Sequence, residues 1–249
     1  MMAVLAAPVT STLVNAQEEG GMLVIPVEHF LCKYNEGQGP ADLEKAIASW
    51  SKFADDNGID NYSAWTLTPY YYSANQEFDV IWMGAWKDGN AMGAGTDTWL
   101  AKGTANAAQF AKVVTCDTHV NSASINHKLP PDGQTPDTGV LTYSSCNMKD
   151  GVTYSAVAAA TRQWAQVLTD AGSKSAIYHQ FPVFGGGGDD VADFLWMEAY
   201  PSHAELGADY ERMGNGLLYR TNGELLDHLV SCDVARVYNA KNRRFVKLR

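Results

Sequence analysis

Apolar residues recur at helical spacing twice along the chain. Leu43, Ile47, Trp50 and Phe53/Ala54 form one stripe, and Val157, Ala160/Thr161, Trp164 and Val167/Leu168 form the other. Gly58 and Gly172 follow these stripes where a left-handed C-terminal cap belongs. Each stripe is preceded by a β-rich run, residues 22–34 and 140–148. Two further strand-like runs follow each stripe: 61–71 with 78–86, and 175–184 with 191–200. Their connectors, 73–76 and 185–188, predict hairpins. The second connector is four glycines, but no Lys-Ser/Thr follows it, so it predicts a flexible turn and not a phosphate loop. A second helical region comes next, broken at Gly103 in one case and at Gly214-Asn215-Gly216 in the other. A strand starting at Cys116 or Cys232 closes each series.

The pattern repeats at a nearly constant offset. Trp82-Met83-Gly84-Ala85-Trp86 matches Trp196-Met197-Glu198-Ala199-Tyr200, 114 residues on. Trp50 falls on Trp164, Asp56 on Asp170, Gly58 on Gly172 and Cys32 on Cys146 at that same offset. Cys116 falls on Cys232 at an offset of 116, which places a two-residue insertion late in the second copy. The sequence thus predicts a tandem duplication, with units at 22–127 and 138–241. Residues 128–137 hold three prolines and predict a linker.

Each unit has the order β-α-β-β-α-β, the ferredoxin-like arrangement, whose antiparallel sheet is usually ordered 4-1-3-2. In that order the end of strand 1 lies beside the start of strand 4. Cys32 and Cys116 occupy those positions in one unit, and Cys146 and Cys232 in the other. Cysteines opposite each other on antiparallel neighbours are close enough to bridge. The prediction is therefore two disulfides, Cys32–Cys116 and Cys146–Cys232. Reduced, buried thiols are the alternative.

The third strand of each unit has two distinct faces. Ile81, Met83, Ala85 and their counterparts Leu195, Met197, Ala199 suit a layer of helices. The other face carries Trp82, Gly84, Trp86 and Trp196, Glu198, Tyr200, and is expected to be buried against something. Two ferredoxin-like units with open faces packed together resemble the dimeric α+β barrel superfamily, here fused in one chain. The resemblance implies an α+β fold in which two antiparallel sheets pack face to face as a pseudo-dimeric barrel. It also implies a cavity within the barrel or between sheet and helices. It brings no catalytic motif to match, and its members include cofactor-independent monooxygenases, isomerases and haem-dependent enzymes.

Composition narrows the functional classes. The formal charge of −10 argues against a phosphate-tracking surface, and so against nucleic acid as partner. No run reaches the roughly 20 apolar residues of a membrane-spanning helix. Residues 1–16 form an uncharged, small and apolar segment ending Val14-Asn15-Ala16, which predicts a secretory signal peptide and a secreted or periplasmic protein. No Lys or Arg precedes its apolar run, a departure from the usual pattern. Export and disulfides support each other.

The candidate chemistry is sparse. Trp82, Trp86, Trp196 and Tyr200 either fill a core or wall a pocket for a flat, apolar ligand. Glu198 stands on an aromatic strand face where its counterpart is Gly84, so it is either an acid/base group or a solvated rim residue. His179 is the second candidate acid/base residue. His29 shares a strand face with Val27 and Leu31, away from Glu28. His127 is expected in a loop or on a helix surface. No hydrolase, metalloprotease, nucleotide or cofactor motif is present, so the expectation includes no cofactor and no metal. A haem would require one of these histidines to face an open pocket. The function expected is binding of a small apolar or aromatic ligand by a monomeric pseudo-dimer or a homo-oligomer. The alternative is a cofactor-independent monooxygenase or isomerase using Glu198 and His179.

Overall fold

The two apolar stripes become the two long helices of the molecule. In the computed structural model, which describes residues 23–131, 136–185 and 192–246, α1 spans Pro40–Asp56 and α4 spans Tyr154–Asp170. Leu43, Ile47, Trp50, Phe53 and Ala54 point inward from α1, and Val157, Ala160, Thr161, Trp164 and Leu168 from α4. Gly58 and Gly172 adopt φ of 63° and 78°, the left-handed turn that ends each helix without a Cβ penalty. The signal-peptide segment, residues 1–16, lies outside the described residues.

The remaining elements follow in the order read from the sequence. The first half contains β1 (Val24–Tyr34), β2 (Tyr62–Tyr71), β3 (Val80–Trp86), α2 (Gly89–Lys102), α3 (Thr104–Val113) and β4 (Val114–Lys128). The second contains β5 (Thr138–Met148), β6 (Ala176–Phe184), β7 (Phe194–Tyr200), α5 (His203–Gly214), α6 (Leu218–Leu226), β8 (Val230–Cys232) and β9 (Arg236–Arg244). Lys128, expected at the head of the linker, is the last residue of β4.

The strands form one closed antiparallel barrel of eight, in the cyclic order β1-β3-β2-β9-β5-β7-β6-β4. Within each half the order is β4-β1-β3-β2 and β9-β5-β7-β6. The halves meet edge to edge, through β4 with β6 and β2 with β9, and not only face to face as expected. Asn121–Lys128 of β4 pairs with β6, and Ala64–Tyr71 of β2 pairs with β9. Closure leaves the eight barrel strands without a free edge. The three-residue strand β8 adds to β5 at its C-terminal end.

The fourth strand differs between the halves. β4 runs unbroken, with a register shift between Leu31/Cys32 and Thr118/Cys116. Its counterpart is split into β8 and β9 by Asp233-Val234-Ala235. Asp233 holds this break in place, accepting from Ser145 N at 2.6 Å and pairing with Arg236 at 2.6 Å. Both disulfides form between registered partners, Cys32–Cys116 and Cys146–Cys232, and all four cysteines are used. Two such bonds point to an oxidising, non-cytoplasmic compartment. Among the described residues no helix is long and apolar enough to cross a membrane.

The expected use of the two strand faces is reversed. Met83, Ala85 and Met197 line the barrel lumen with Val27, Leu67, Leu141 and Ala240. Trp82 and Trp86 instead pack beneath the helices with Trp50, Phe53 and Ala91, and Trp196 packs with Val157, Trp164 and Leu168. The reason is steric. An eight-stranded barrel has a narrow lumen that medium and small side chains fill. The helix layer stands farther off and needs large rings to reach it. Gly95 of α2 shows the fit, since a Cβ there would lie 2.2 Å from the Trp86 ring.

Candidate functional site

The lumen is packed at one end and open at the other. A cavity of about 560 Å³ occupies the open end. It takes His29, Leu31 and Lys33 from β1, Ile81 from β3, Thr118 and Val120 from β4, Tyr143 from β5, Leu195 from β7 and Tyr238 from β9. Strand alternation explains the set. Residues 29, 31 and 33 of β1 share one face, and their neighbours Glu28, Phe30 and Cys32 face the helices. The hairpin between β2 and β3 supplies Phe78 and a polar lip of Ser73, Asn75, Gln76 and Glu77. Both disulfides lie at this same end of the barrel, since they join the end of β1 or β5 to the start of the fourth strand.

At the floor, His29 Nε2 and the Tyr143 hydroxyl are 3.2 Å apart. The hydroxyl is also 3.2 Å from Met83 Sδ, a weak acceptor. Burial lowers the His29 pKa to about 4, so the imidazole is neutral at pH 7. Burial and the neighbouring Tyr238 raise the Tyr143 pKa, so its hydroxyl keeps its proton. Tyr143 and Tyr238 meet edge to face, and Phe78 lies nearly parallel to Tyr238 at 6.4 Å. The floor is therefore aromatic and neutral, and charge sits at the mouth in Lys33, Glu77, Asp117 and Arg236.

None of the six residues singled out from the sequence lines this cavity. Glu198 lies on the helix-facing side, where it accepts from Trp196 Nε1 at 3.0 Å and from the Tyr200 hydroxyl. Burial raises its pKa against the pull of these two hydrogen bonds. His179 is fully buried, with its ring among Phe194, Trp196 and Tyr154. Its Nδ1 is 3.2 Å from the Tyr154 hydroxyl, and its Nε2 has no hydrogen-bond partner among the described residues. Trp196 stands between the two residues, contacting His179 on one side and Glu198 on the other. His127, expected on a surface, is half-buried in β4 and bonds Tyr154 at 2.9 Å.

The two halves place a carboxylate at matched sites from opposite strands. Glu28 of β1 is registered with Gly84 of β3, and Thr142 of β5 with Glu198 of β7. In the first half Trp82 donates to Tyr62 at 2.8 Å, and Tyr62 donates to Glu28 at 2.7 Å. Gly84 makes room for that tyrosine, since a Cβ there would lie 1.8 Å from its oxygen. The indole–carboxylate link beneath the helices is thus common to both halves, and it reads as packing chemistry.

The raised pKa of Glu198 has a testable sign. The folded state holds the proton more tightly than the unfolded chain, so stability is full below the ordinary glutamate range and falls as pH rises through the folded pKa. Glu198→Gln should therefore gain on the wild type as pH rises from 4 to 8, read as melting temperature against pH. A gap that stays constant over that range would mean that burial of this carboxylate costs nothing.

The sequence undervalued His29 and passed over Tyr143. One signal was available: 29 and 143 are themselves 114 residues apart. Ile81 and Leu195 are another such pair, and both line the cavity.

No protein-family profile matches the sequence, and no curated protein matches it. Solved structures do resemble it in shape. A provisionally assigned chlorite dismutase superposes with a TM-score of 0.53 at 11% identity, over 88% of this chain and 95% of its own. A heme-binding protein from Thermus thermophilus gives 0.52 at 10% identity, over 89% and 92%. An anthrone oxidase-like protein gives 0.52 at 10% identity, over 89% and 94%. At such identities the likeness concerns architecture, and on that ground the chain has the fold of the dimeric α+β barrel proteins.

Proposed function

We propose that this protein is an exported binder of a small, largely apolar ligand, held in the open end of the barrel. The cavity of about 560 Å³ carries the reading, being walled by Leu31, Phe78, Ile81, Leu195 and Tyr238 and rimmed by polar groups. Export is supported by the two disulfides and by the apolar run of residues 1–16. We further infer a tandem duplication of a ferredoxin-like unit, supported by the matched strand orders and by an offset of 114 that becomes 116 at Cys116 and Cys232. Trp82, Trp86, Trp196 and Tyr200 serve in this reading as the bed for the helices and not as the ligand wall.

A haem is named for one of the similar structures, and the residues here do not fit it. His179 is enclosed by aromatic rings with no room for a macrocycle beside it. His127 is bonded to Tyr154. His29 does face the cavity, but its Nε2 is turned to Tyr143.

One observation favours a second reading as a cofactor-independent enzyme of the monooxygenase or isomerase kind. A neutral imidazole and a protonated phenol sit side by side at the cavity floor. In that case His29 and Tyr143 replace His179 and Glu198 as the acid/base pair.

The test is a fluorescence titration with 1-anilinonaphthalene-8-sulfonate. The wild type should bind it saturably, with a dissociation constant on the order of 10 μM. Leu195→Trp places a ring in the cavity and should weaken binding at least about tenfold, which is about 1.4 kcal/mol. Unchanged dye binding by a folded Leu195→Trp would remove the cavity from consideration.

A further inference from the structure

The cavity floor carries more information than its size. The hydroxyl of Tyr143 has one hydrogen and two lone pairs; His29 Nε2 and the Met83 thioether lie at 3.2 Å from it, and the buried Gln180 amide, whose Oε1 has no hydrogen-bond partner among the described residues, acts on it from β6. If the imidazole donates to the hydroxyl, the tyrosine proton is directed at the Met83 sulfur, a weak acceptor, while Gln180 Oε1 stays without a partner among the described residues. If the tyrosine donates to the imidazole, its lone pairs are left open. Either arrangement leaves hydrogen-bonding capacity at a buried floor, where unspent capacity costs free energy. Both residues are nearly inaccessible in the free protein, at 5% exposure each.

The charge around this pair selects what would complete it. Lys33 and Arg236, the cations lining the cavity, belong to its mouth, and Arg236 is already paired with Asp233 at 2.6 Å. The lumen below is formed by Val27, Leu67, Met83, Leu141 and Met197. A carboxylate at the floor would be buried without a counter-charge, and so would an ammonium. A neutral hydroxyl can both donate and accept, and so matches either arrangement of the pair. The walls next to it are Tyr238, Phe78 and Ile81, which suit a flat apolar body.

We propose that His29 and Tyr143 form a hydroxyl-reading pair, and that the ligand is a neutral hydroxylated aromatic compound inserted hydroxyl first into the barrel. The two residues are 114 apart, so the pair sits where the two halves of the barrel face each other. One half contributes an imidazole and the other a phenol. This proposal rests on the cavity being the binding site.

The test uses 2-naphthol and 2-methylnaphthalene as displacers of 1-anilinonaphthalene-8-sulfonate, on the wild type and on Tyr143→Phe. The two probes share a body and differ in the hydroxyl. Removing the tyrosine hydroxyl should weaken 2-naphthol at least about tenfold and leave 2-methylnaphthalene unchanged or tighter, because only the hydroxyl has lost a partner. His29→Leu should act in the same direction. Equal effects of Tyr143→Phe on both probes would overturn the proposal, as would failure of 2-naphthol to displace a dye that Leu195→Trp excludes. Absence of any dye binding would instead defeat the cavity reading itself.

Discussion

Replacing Cys146 and Cys232 together by serine should lower the stability of the protein by about 4–5 kcal/mol. The bond closes a separation of 86 residues, and that of Cys32–Cys116 closes 84. In the chain-entropy account, cross-linking a loop of this length removes roughly that much conformational freedom from the unfolded chain. Whole domains are stable by about 5–15 kcal/mol, so loss of both bonds should leave the chain unfolded at ordinary temperature. The second bond has a local effect as well. It anchors β8, three residues long, to the end of β5 and thereby fixes the break at 233–235 from which β9 starts. Urea titration of each serine double variant reads the loss directly. A loss under about 1 kcal/mol would mean that the unfolded chain is not constrained by these bonds.

Acidification from pH 7 to pH 4 should destabilise the protein by several kcal/mol, through histidines held neutral. Burial lowers His29 to about 4, lowers His127 to about 4 with help from Arg162, and pushes His179 well below its ordinary value. In the unfolded chain each titrates near 6.5. Between those values the unfolded state binds more protons than the folded one, so stability is present above about pH 6.5 and is lost as pH falls toward 4. His29 alone accounts for roughly 3 kcal/mol over that interval. Glu198 works in the opposite direction by up to one proton, so the histidines together set the sign. Unfolding free energy measured at half-unit steps should show the slope, and His29→Leu should reduce it by about 1.4 kcal/mol per pH unit. A variant with the wild-type slope would show that His29 does not titrate as a buried group.

Much of this fold is written locally, and that part was legible. The stripe Leu43, Ile47, Trp50, Phe53 became the buried face of α1, and Gly58 its left-handed cap. Gly103 became the break between α2 and α3. The disulfides were legible because strand order fixes which cysteines are neighbours, and the register pairs them residue to residue. The two extra residues of the second half fall before Cys232, so the break between β8 and β9 at 233–235 is a local departure from the barrel register and not the insertion itself. What each strand face meets was not legible. Trp82 and Trp86 form an apolar face equally suited to a sheet or a helix layer, and alternation alone does not choose. Gly95 within α2 and Gly84 within β3 were the available signs, since each leaves space for a ring, Trp86 and Tyr62 respectively.

The candidate site was legible in part. Alternation placed His29 with Val27 and Leu31 and against Glu28, as the structure shows. The cavity itself draws on six of the barrel strands from both halves, so no stretch of sequence contains it. Rarity was a poor guide. Glu198 stood out as a carboxylate among aromatics, and the structure ties it to Trp196 and Tyr200 beneath the helices. Tyr143 was unremarked in a strand of ordinary composition, yet it meets His29 because the barrel closes between them.

The central claim is that the open end of the barrel is the binding site, and amide chemical-shift mapping tests it most directly. On titration with 1-anilinonaphthalene-8-sulfonate, the shifts should concentrate at His29, Leu31, Tyr143, Leu195 and Tyr238, on four different strands that converge only inside the lumen. Shifts concentrated instead around Trp82 and Trp196 beneath the helices, or on the exposed Tyr71 and Tyr72, would contradict it.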